Sequence, residues 1–216
     1  MSIKNELQAI ISGNGEVRHG RAIQAVAGQL EGEKGAVLST QRKEFSKKEE
    51  ETVIADFSNL NDFWYQSLDI NKYIGEGAEQ RVFEDEDPRF VLKFNDGIFY
   101  LSWIDYLRGL LLHNYFFPHL AYELLGFSMN NDKMYAVVRQ PYVQTQEITD
   151  LHTVRSFLLA NGFELIKNND YINHHLGIIL EDLHDENVLT KNAGLYFIDT
   201  VFYLLPDFFN NDSALQ

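Results

Sequence analysis

The stretch LGIILEDLHDENVLTKNAGLYFIDT, residues 176–200, constrains the fold more than any other part of the chain. Its apolar runs, LGIIL, NVLT and LYFI, are shorter than a helix needs and are bounded by turn residues, so each reads as a strand. Asp182 follows the first strand, Asn187 stands five residues further on, and Asp199 comes after two more short strands. A carboxylate, a carboxamide and a second carboxylate therefore arrive in fixed order at the ends of short strands. A solvated acidic turn would account for Glu181, Asp182, Asp185 and Glu186. Against that, the apolar runs are expected to press Asp182 and Asp199 against buried backbone, where an idle carboxylate is costly.

Phosphoryl transfer needs a carboxylate to orient the attacking hydroxyl and oxygen ligands to hold magnesium against a triphosphate. Asp182 suits the first task, and Asn187 with Asp199 the second. His174, His175 and His184 lie near these acids and leave a metal-hydrolase reading open, because imidazoles with carboxylates bind zinc. Their spacing matches no helical histidine pair, and turn or core histidines are the expectation.

Two upstream features extend the phosphate reading. In IGEGAEQRVF, Gly75 and Gly77 precede Val82 with strand-turn-strand spacing, and Gln80 stands where a third glycine would complete the pattern. Glycines there let backbone amides approach an anionic phosphate, although a tight hairpin turn without a ligand would use the same residues. GNGEVRHG, residues 13–20, offers a competing glycine pattern, but no predicted strand precedes it. Lys93 in FVLKF places a cation in an apolar strand. Pointing outward it meets solvent; buried, it needs a carboxylate or a phosphate. Its position one strand after the glycine pair favours the phosphate.

The rest of the chain supplies the frame. Ile3, Leu7, Ile10 and Ile11, then Ala22, Ile23, Val26 and Leu30, recur at helical spacing and predict a small helical hairpin. RKEFSKKEEET, residues 42–52, is polar and charge-blocked, a solvated helix end or linker. The expected division is an extension and linker over 1–52 and a main domain over 53–216. Strands are predicted around Asn71–Ile74, in RVFED and in FVLKF, followed by a buried helix over 99–116. AYELLGFS and KMYAVVRQ, separated by MNND, suit a hairpin. Thr149 is placed to cap a helix running to Asn161, with Gly162 as its left-handed stop. The fold class is α+β, with five strands that suit one antiparallel sheet.

Composition narrows the partners. The 216 residues are 45% hydrophobic, enough for a substantial core without disulfides, and the chain has no cysteine. With 18 basic and 32 acidic residues the net charge is −14, which disfavours direct binding to nucleic acid or anionic membrane. No apolar run approaches membrane-spanning length, and the first residues lack a signal-peptide core, so a cytoplasmic protein is expected.

The order of glycine loop, lysine strand, Asp-x4-Asn loop and final Asp, from Gly75 to Asp199, resembles the protein-kinase-like superfamily. LEDLHDENVL looks closer to the HGDLHxxN form of aminoglycoside phosphotransferases than to the HRD form. The string from HNYFFP through AYELLGF, RQPYV, NGF and DLHDENVLT to IDT is similar to the kinase domain of polyvalent proteins of phages and mobile elements, over roughly the last two-thirds of the chain. The resemblance implies a two-lobed kinase fold, with the five-stranded antiparallel sheet in a first lobe over about 53–143 and a reduced second lobe over about 144–216, ATP and Mg2+ as cofactors, and Gly75, Gly77, Val82 and Lys93 around the nucleotide. It implies Asp182 with Lys93 as catalytic residues, Asn187 and Asp199 as metal ligands, and adenine at the connector Val138–Val143. The sequence departs from the pattern at Leu180, where a histidine often stands, and at Thr200–Val201, where Phe-Gly often follows the Asp. No helix glutamate obviously pairs with Lys93, and Asp105 is the nearest acid in the following helix. Only 17 residues follow Asp199, too few for the helical subdomain that binds peptides in typical protein kinases.

Three functions follow as expectations. The first is a kinase moving the ATP γ-phosphoryl group to a hydroxyl of a protein or small molecule. The second is a nucleotide-binding pseudokinase acting through protein contacts, and the third an acidic binding or inhibitory protein without nucleotide.

Overall fold

The computed structural model describes residues 2–40, 45–77 and 80–210. Mixed helices and antiparallel sheets give an α+β architecture divided into two compact units, Glu16–Tyr142 and Met1–Gly15 with Val143–Gln216. The two N-terminal helices, expected as one hairpin, are distributed between them: α1 (Ile3–Ile11) belongs to the second unit and α2 (Gly20–Thr40) to the first. Among the described residues no helix is long and apolar enough to cross a membrane.

In the first unit the five strands β1 (Tyr73–Glu76), β2 (Gln80–Glu84), β3 (Phe90–Asn95), β4 (Glu123–Asn130) and β5 (Lys133–Pro141) pair antiparallel in the order β1-β2-β3-β5-β4. The β4–β5 hairpin closes on Asn131 and Asp132, both left-handed at φ 50° and 60°, because a turn of that twist matches the twist of the strands it joins. One sheet face buries Phe83, Leu92, Phe94, Tyr135 and Val137, with Tyr65 and Leu125 packed against them. Phe83 and Phe94 meet edge to face with centroids 5.3 Å apart. Residues 63–65 lie along β4, with the Tyr65 N–H donating to the Phe127 carbonyl and the Phe127 N–H to the Phe63 carbonyl. This approach passes over Gly126, where β4 bulges.

The charged run resolves into a helix start. Residues 42–44 lie outside the described residues, but Ser46 caps α3 (Lys47–Leu60) in a capping box with Glu49, so the polar texture from Ser46 onward is that of a first helical turn. The buried helix after β3 is α4 (Trp103–Phe116), four residues shorter at its start than the 99–116 expected. Ser102 caps it, accepting from the Asp105 N–H, and Ile98, Phe99 and Leu101 ahead of the cap are exposed. α2 packs on α4, and Arg108 of α4 pairs with Glu31 of α2 at 2.8 Å.

α3 also grips the entry to α4. The Lys47 ammonium donates to the carbonyls of Gly97 and Tyr100, and fully buried Glu50 accepts the Trp103 N–H at the start of α4. Burial pushes the Glu50 carboxyl up, with Asp105 adding repulsion, against the Trp103 and Ile104 N–H groups and Lys34, which pull it down. A carboxyl whose pKa is raised on folding favours the protonated native state. Its stabilising contribution is full below the unfolded glutamate value of about 4.3 and is lost as pH rises through the raised folded value. As pH rises above the unfolded glutamate value of about 4.3 toward neutrality, the melting temperature of the wild type is therefore expected to fall more steeply than that of Glu50→Gln, which cannot titrate there. Parallel melting curves across that range would contradict this account of Glu50.

In the second unit α1 buries Leu7, Ile10 and Ile11, and Gln8 Nε2 donates to the Phe208 carbonyl at 2.7 Å. α5 (Leu151–Ala160) is capped by Asp150 rather than by the expected Thr149, whose hydroxyl instead accepts from the Thr190 hydroxyl. Gly162 supplies the left-handed stop at φ 78°. A four-stranded sheet of order β11-β8-β7-β6 is built from β6 (Glu164–Lys167), β7 (Asp170–Asn173), β8 (Ile178–Glu181) and β11 (Val201–Leu204), and β9 (Val188–Lys191) pairs with β10 (Gly194–Phe197) in a separate two-stranded sheet. The hairpin β6–β7 and strand β11 were not expected from the sequence.

Candidate active site

The sheet of the first unit gathers four of the singled-out positions into one row. Gly75 stands opposite Val82, Val82 opposite Lys93, and Lys93 opposite Val138. Directly opposed residues of antiparallel strands project to the same face, so this row lies on the face away from the aromatic cluster. The backbone of Gly75 and Gly77 is not left-handed, and a Cβ added to either would meet nothing within 4 Å among the described residues. Ala78 and Glu79, which complete the glycine segment, lie outside the described residues.

Lys93 does not point to solvent. Residues 91–95 of β3 are all buried, because both faces of this central strand are covered, and Lys93 is 4% exposed. Its ammonium lies over the Tyr122 ring, 5.5 Å from the centroid. Asp105, the acid proposed for it, is engaged at the α4 start, accepting from the Ser102 hydroxyl at 2.6 Å and lying 3.8 Å from Arg108. In the connector expected to hold adenine, Pro141 has no N–H, and the Tyr142 N–H is donated to the Arg89 carbonyl.

The second unit closes the other three positions together. The β9–β10 hairpin turns at Asn192 and Ala193, both left-handed, and its last pair is Val188 with Phe197. One step past that pair, the N–H groups of Ile198 and Asp199 both donate to the Asn187 carbonyl, at 2.9 and 3.3 Å. The hairpin thereby brings Asn187 and Asp199 side by side. Asn187 Nδ2 donates to the Asp182 backbone carbonyl and to Asp182 Oδ2, both at 2.8 Å, and His184 Nε2 lies 3.4 Å from Asp182 Oδ1.

Asp182 sits in the left-handed region at φ 65°, just past the end of β8, with its N–H donated to Asp170 Oδ1 at 3.1 Å. A non-glycine residue held there is uncommon, and such strain concentrates at functional turns. The carboxylate is exposed, which corrects the expectation that it lies against buried backbone. Strand cover ends with Glu181, and the turn lifts the next side chain clear of it. Asn187 and Asp199 are half-buried. Burial, then repulsion from Asp170 and Asp182, pushes the Glu181 carboxyl up, a mark of concentrated negative charge beside Asp182.

Among the described residues, no group of three or more His, Asp or Glu side chains converges as a metal site, and His174, His175 and His184 form none. Asn187 and Asp199 instead carry hard oxygen donors. Magnesium takes hard oxygen donors and is commonly held by only one or two protein groups, with substrate phosphates and water completing its shell.

The sequence matches the family described as serine/threonine/tyrosine kinase found in polyvalent proteins over residues 47–206, and the chain belongs to that family. Neither the curated proteins nor the solved structures compared with it gave a match. Membership makes the function kinase-type and implies use of ATP.

Sequence reasoning missed Asp170, Tyr122, His113 and Asn114. Asp170 supports the Asp182 turn across a hairpin that was itself unexpected. Tyr122, His113 and Asn114 read as ordinary members of an aromatic, leucine-rich helix and the strand after it, and only their tertiary contacts distinguish them.

Proposed function

We propose that the chain is an ATP- and magnesium-dependent phosphotransferase that moves the γ-phosphoryl group to a hydroxyl of a protein or small molecule. The observation that carries this reading is the Asp182–Asn187–Asp199 constellation, closed by one hairpin and locked by the Asn187 side chain, in a chain of kinase family. Exposed Asp182 orients the acceptor hydroxyl and takes its proton as transfer proceeds. Asn187 and Asp199 offer oxygens to magnesium, which when bound neutralises charge on the triphosphate. Lys93 holds nucleotide phosphates, and Val82, in the same row, packs on the nucleotide. Among the described residues neither packing nor backbone strain requires glycine at 75 or 77, and close approach of a phosphate is the reason assigned to them.

The partners in this reading are ATP and a hydroxyl-bearing acceptor; the charge of −14 argues against nucleic acid. MgATP is expected to raise the melting temperature of the wild type, because a ligand of the native state stabilises it by about 2.7 kcal/mol at 100 times Kd. Lys93→Met, which keeps the stem of a buried side chain and removes its charge, is expected to lose most of that shift. Stabilisation without any transfer would favour the pseudokinase, and equal shifts in the two proteins would remove Lys93 from the site.

A further inference from the structure

Lys93 is a long side chain whose four-carbon stem has to be ordered before its ammonium can meet a phosphate in one place. In the first unit its ammonium meets an aromatic ring. The Tyr122 ring lies face-on to the ammonium at 5.5 Å and is itself buried. His113 of α4 lies against the other partner of this stack, its ring centroid 4.4 Å from that of Tyr122. His113 is fully buried and lowered to about 3, by burial first and by the Lys93 charge as well, so it stays neutral. Its Nε2 lies 3.1 Å from the Leu120 carbonyl, which also accepts from Gln140 Nε2 at 3.0 Å.

The backbone under the ring is pinned as firmly. Asn114, the next residue of α4, accepts the Tyr122 N–H at 2.7 Å through Oδ1 and donates to the Tyr122 carbonyl at 2.8 Å through Nδ2. One carboxamide thus fixes both backbone polar groups of Tyr122, and the neighbouring imidazole packs against its ring. Such a set does more than fill space: two adjacent helix residues immobilise one aromatic whose face is offered to a cation.

We infer that Tyr122 is a positioning residue for Lys93, its ring face holding the ammonium while His113 and Asn114 of α4 hold the ring. The inference rests on the reading of Lys93 as the phosphate-binding lysine, and it makes the placement of α4 a determinant of nucleotide affinity. A shift of α4 would move Tyr122 and, through it, Lys93, without any change in the glycine segment.

The test uses the full chain in two measurements. In the nucleotide-free protein, NMR of the lysine ε-methylene protons, assigned with Lys93→Met, should show an upfield ring-current shift for Lys93 that Tyr122→Phe keeps and Tyr122→Leu removes. Titration with MgATP should then show Tyr122→Phe within about twofold of wild type and Tyr122→Leu weakened about 30-fold, the change expected for a lost desolvated cation–π contact. Rescue by phenylalanine separates positioning from general packing. Absence of the upfield shift in the wild type overturns the inference even if Tyr122→Leu fails to fold, as does wild-type affinity in a folded Tyr122→Leu. A wild type that shows the shift but binds no MgATP at millimolar nucleotide overturns the phosphate reading of Lys93 instead, and the inference with it.

Discussion

Asp182→Asn is expected to slow γ-phosphoryl transfer by about 10²- to 10⁴-fold, the range for losing a positioned general base, while leaving MgATP affinity within about twofold, because uniform binding does not depend on that proton. Asparagine is the informative replacement. It tolerates the left-handed backbone at φ 65°, and it keeps the N–H that Asp170 accepts and the carbonyl that Asn187 reaches. Its side-chain oxygen still accepts from Asn187 Nδ2, so the turn survives and only the charge and the proton-accepting capacity are lost. Alanine would confound the result by straining the turn and leaving Asn187 Nδ2 with one acceptor fewer. Single-turnover transfer under saturating nucleotide reads the chemical step. An Asp182→Asn protein that transfers at the wild-type rate would show that the carboxylate takes no part in the chemistry.

Gly126→Ala is expected to carry the largest stability cost of a single methyl in the described structure, about 3 kcal/mol or more. Gly126 has φ 148°, a conformation open in practice only to glycine. A Cβ built there would lie 2.4 Å from the Phe63 backbone oxygen, and a backbone atom cannot rotate away as a side chain can. The two strained terms act on one contact: either β4 loses its bulge, or residues 63–65 leave its edge. The second outcome would also withdraw Tyr65, whose ring meets Phe94 at 5.8 Å, from the aromatic face. Urea unfolding should show a lower midpoint with little change in slope, since the surface exposed on unfolding is nearly the same. A loss under about 1 kcal/mol would mean that β4 has another register at this point.

The legible part of the fold was the part written in local pattern. Four strands of the first sheet, the Asn131–Asp132 turn and the β9–β10 hairpin have apolar runs bounded by turn residues, and the structure places strands there; the strand expected around Asn71–Ile74 starts only at Tyr73, because Ile70–Lys72 form a 3-10 turn capped by Asp69. Local pattern failed where two elements of similar texture abut. FYLS ahead of Trp103 is as apolar as the helix it precedes, and only the Ser102 cap separates them. β6 and β7 were missed because ELIK and DYIN are short, half-polar segments that become strands by pairing with each other and with β8.

The candidate site divides in the same way. Asp182, Asn187 and Asp199 were legible because short strands fix their spacing, yet the exposure of Asp182 was not, since it depends on a left-handed turn past β8. Lys93 was legible as a cation in an apolar strand, but its burial reflects cover on both faces of β3. Tyr122 and Asn114 carry no local signal at all. Their contact is made across the end of α4 and the connection to β4, a tertiary event that no periodicity encodes.

The account stands most directly on transfer itself. Wild type and Asp199→Ala should be incubated with γ-labelled ATP, with and without Mg2+, beside protein and small-molecule hydroxyl acceptors, and label leaving ATP followed over hours. The account predicts that the wild type moves label to an acceptor, or slowly to water, only with Mg2+, and that Asp199→Ala does neither. Label that stays on ATP with the wild type under every condition, or that leaves equally fast with Asp199→Ala, would contradict it.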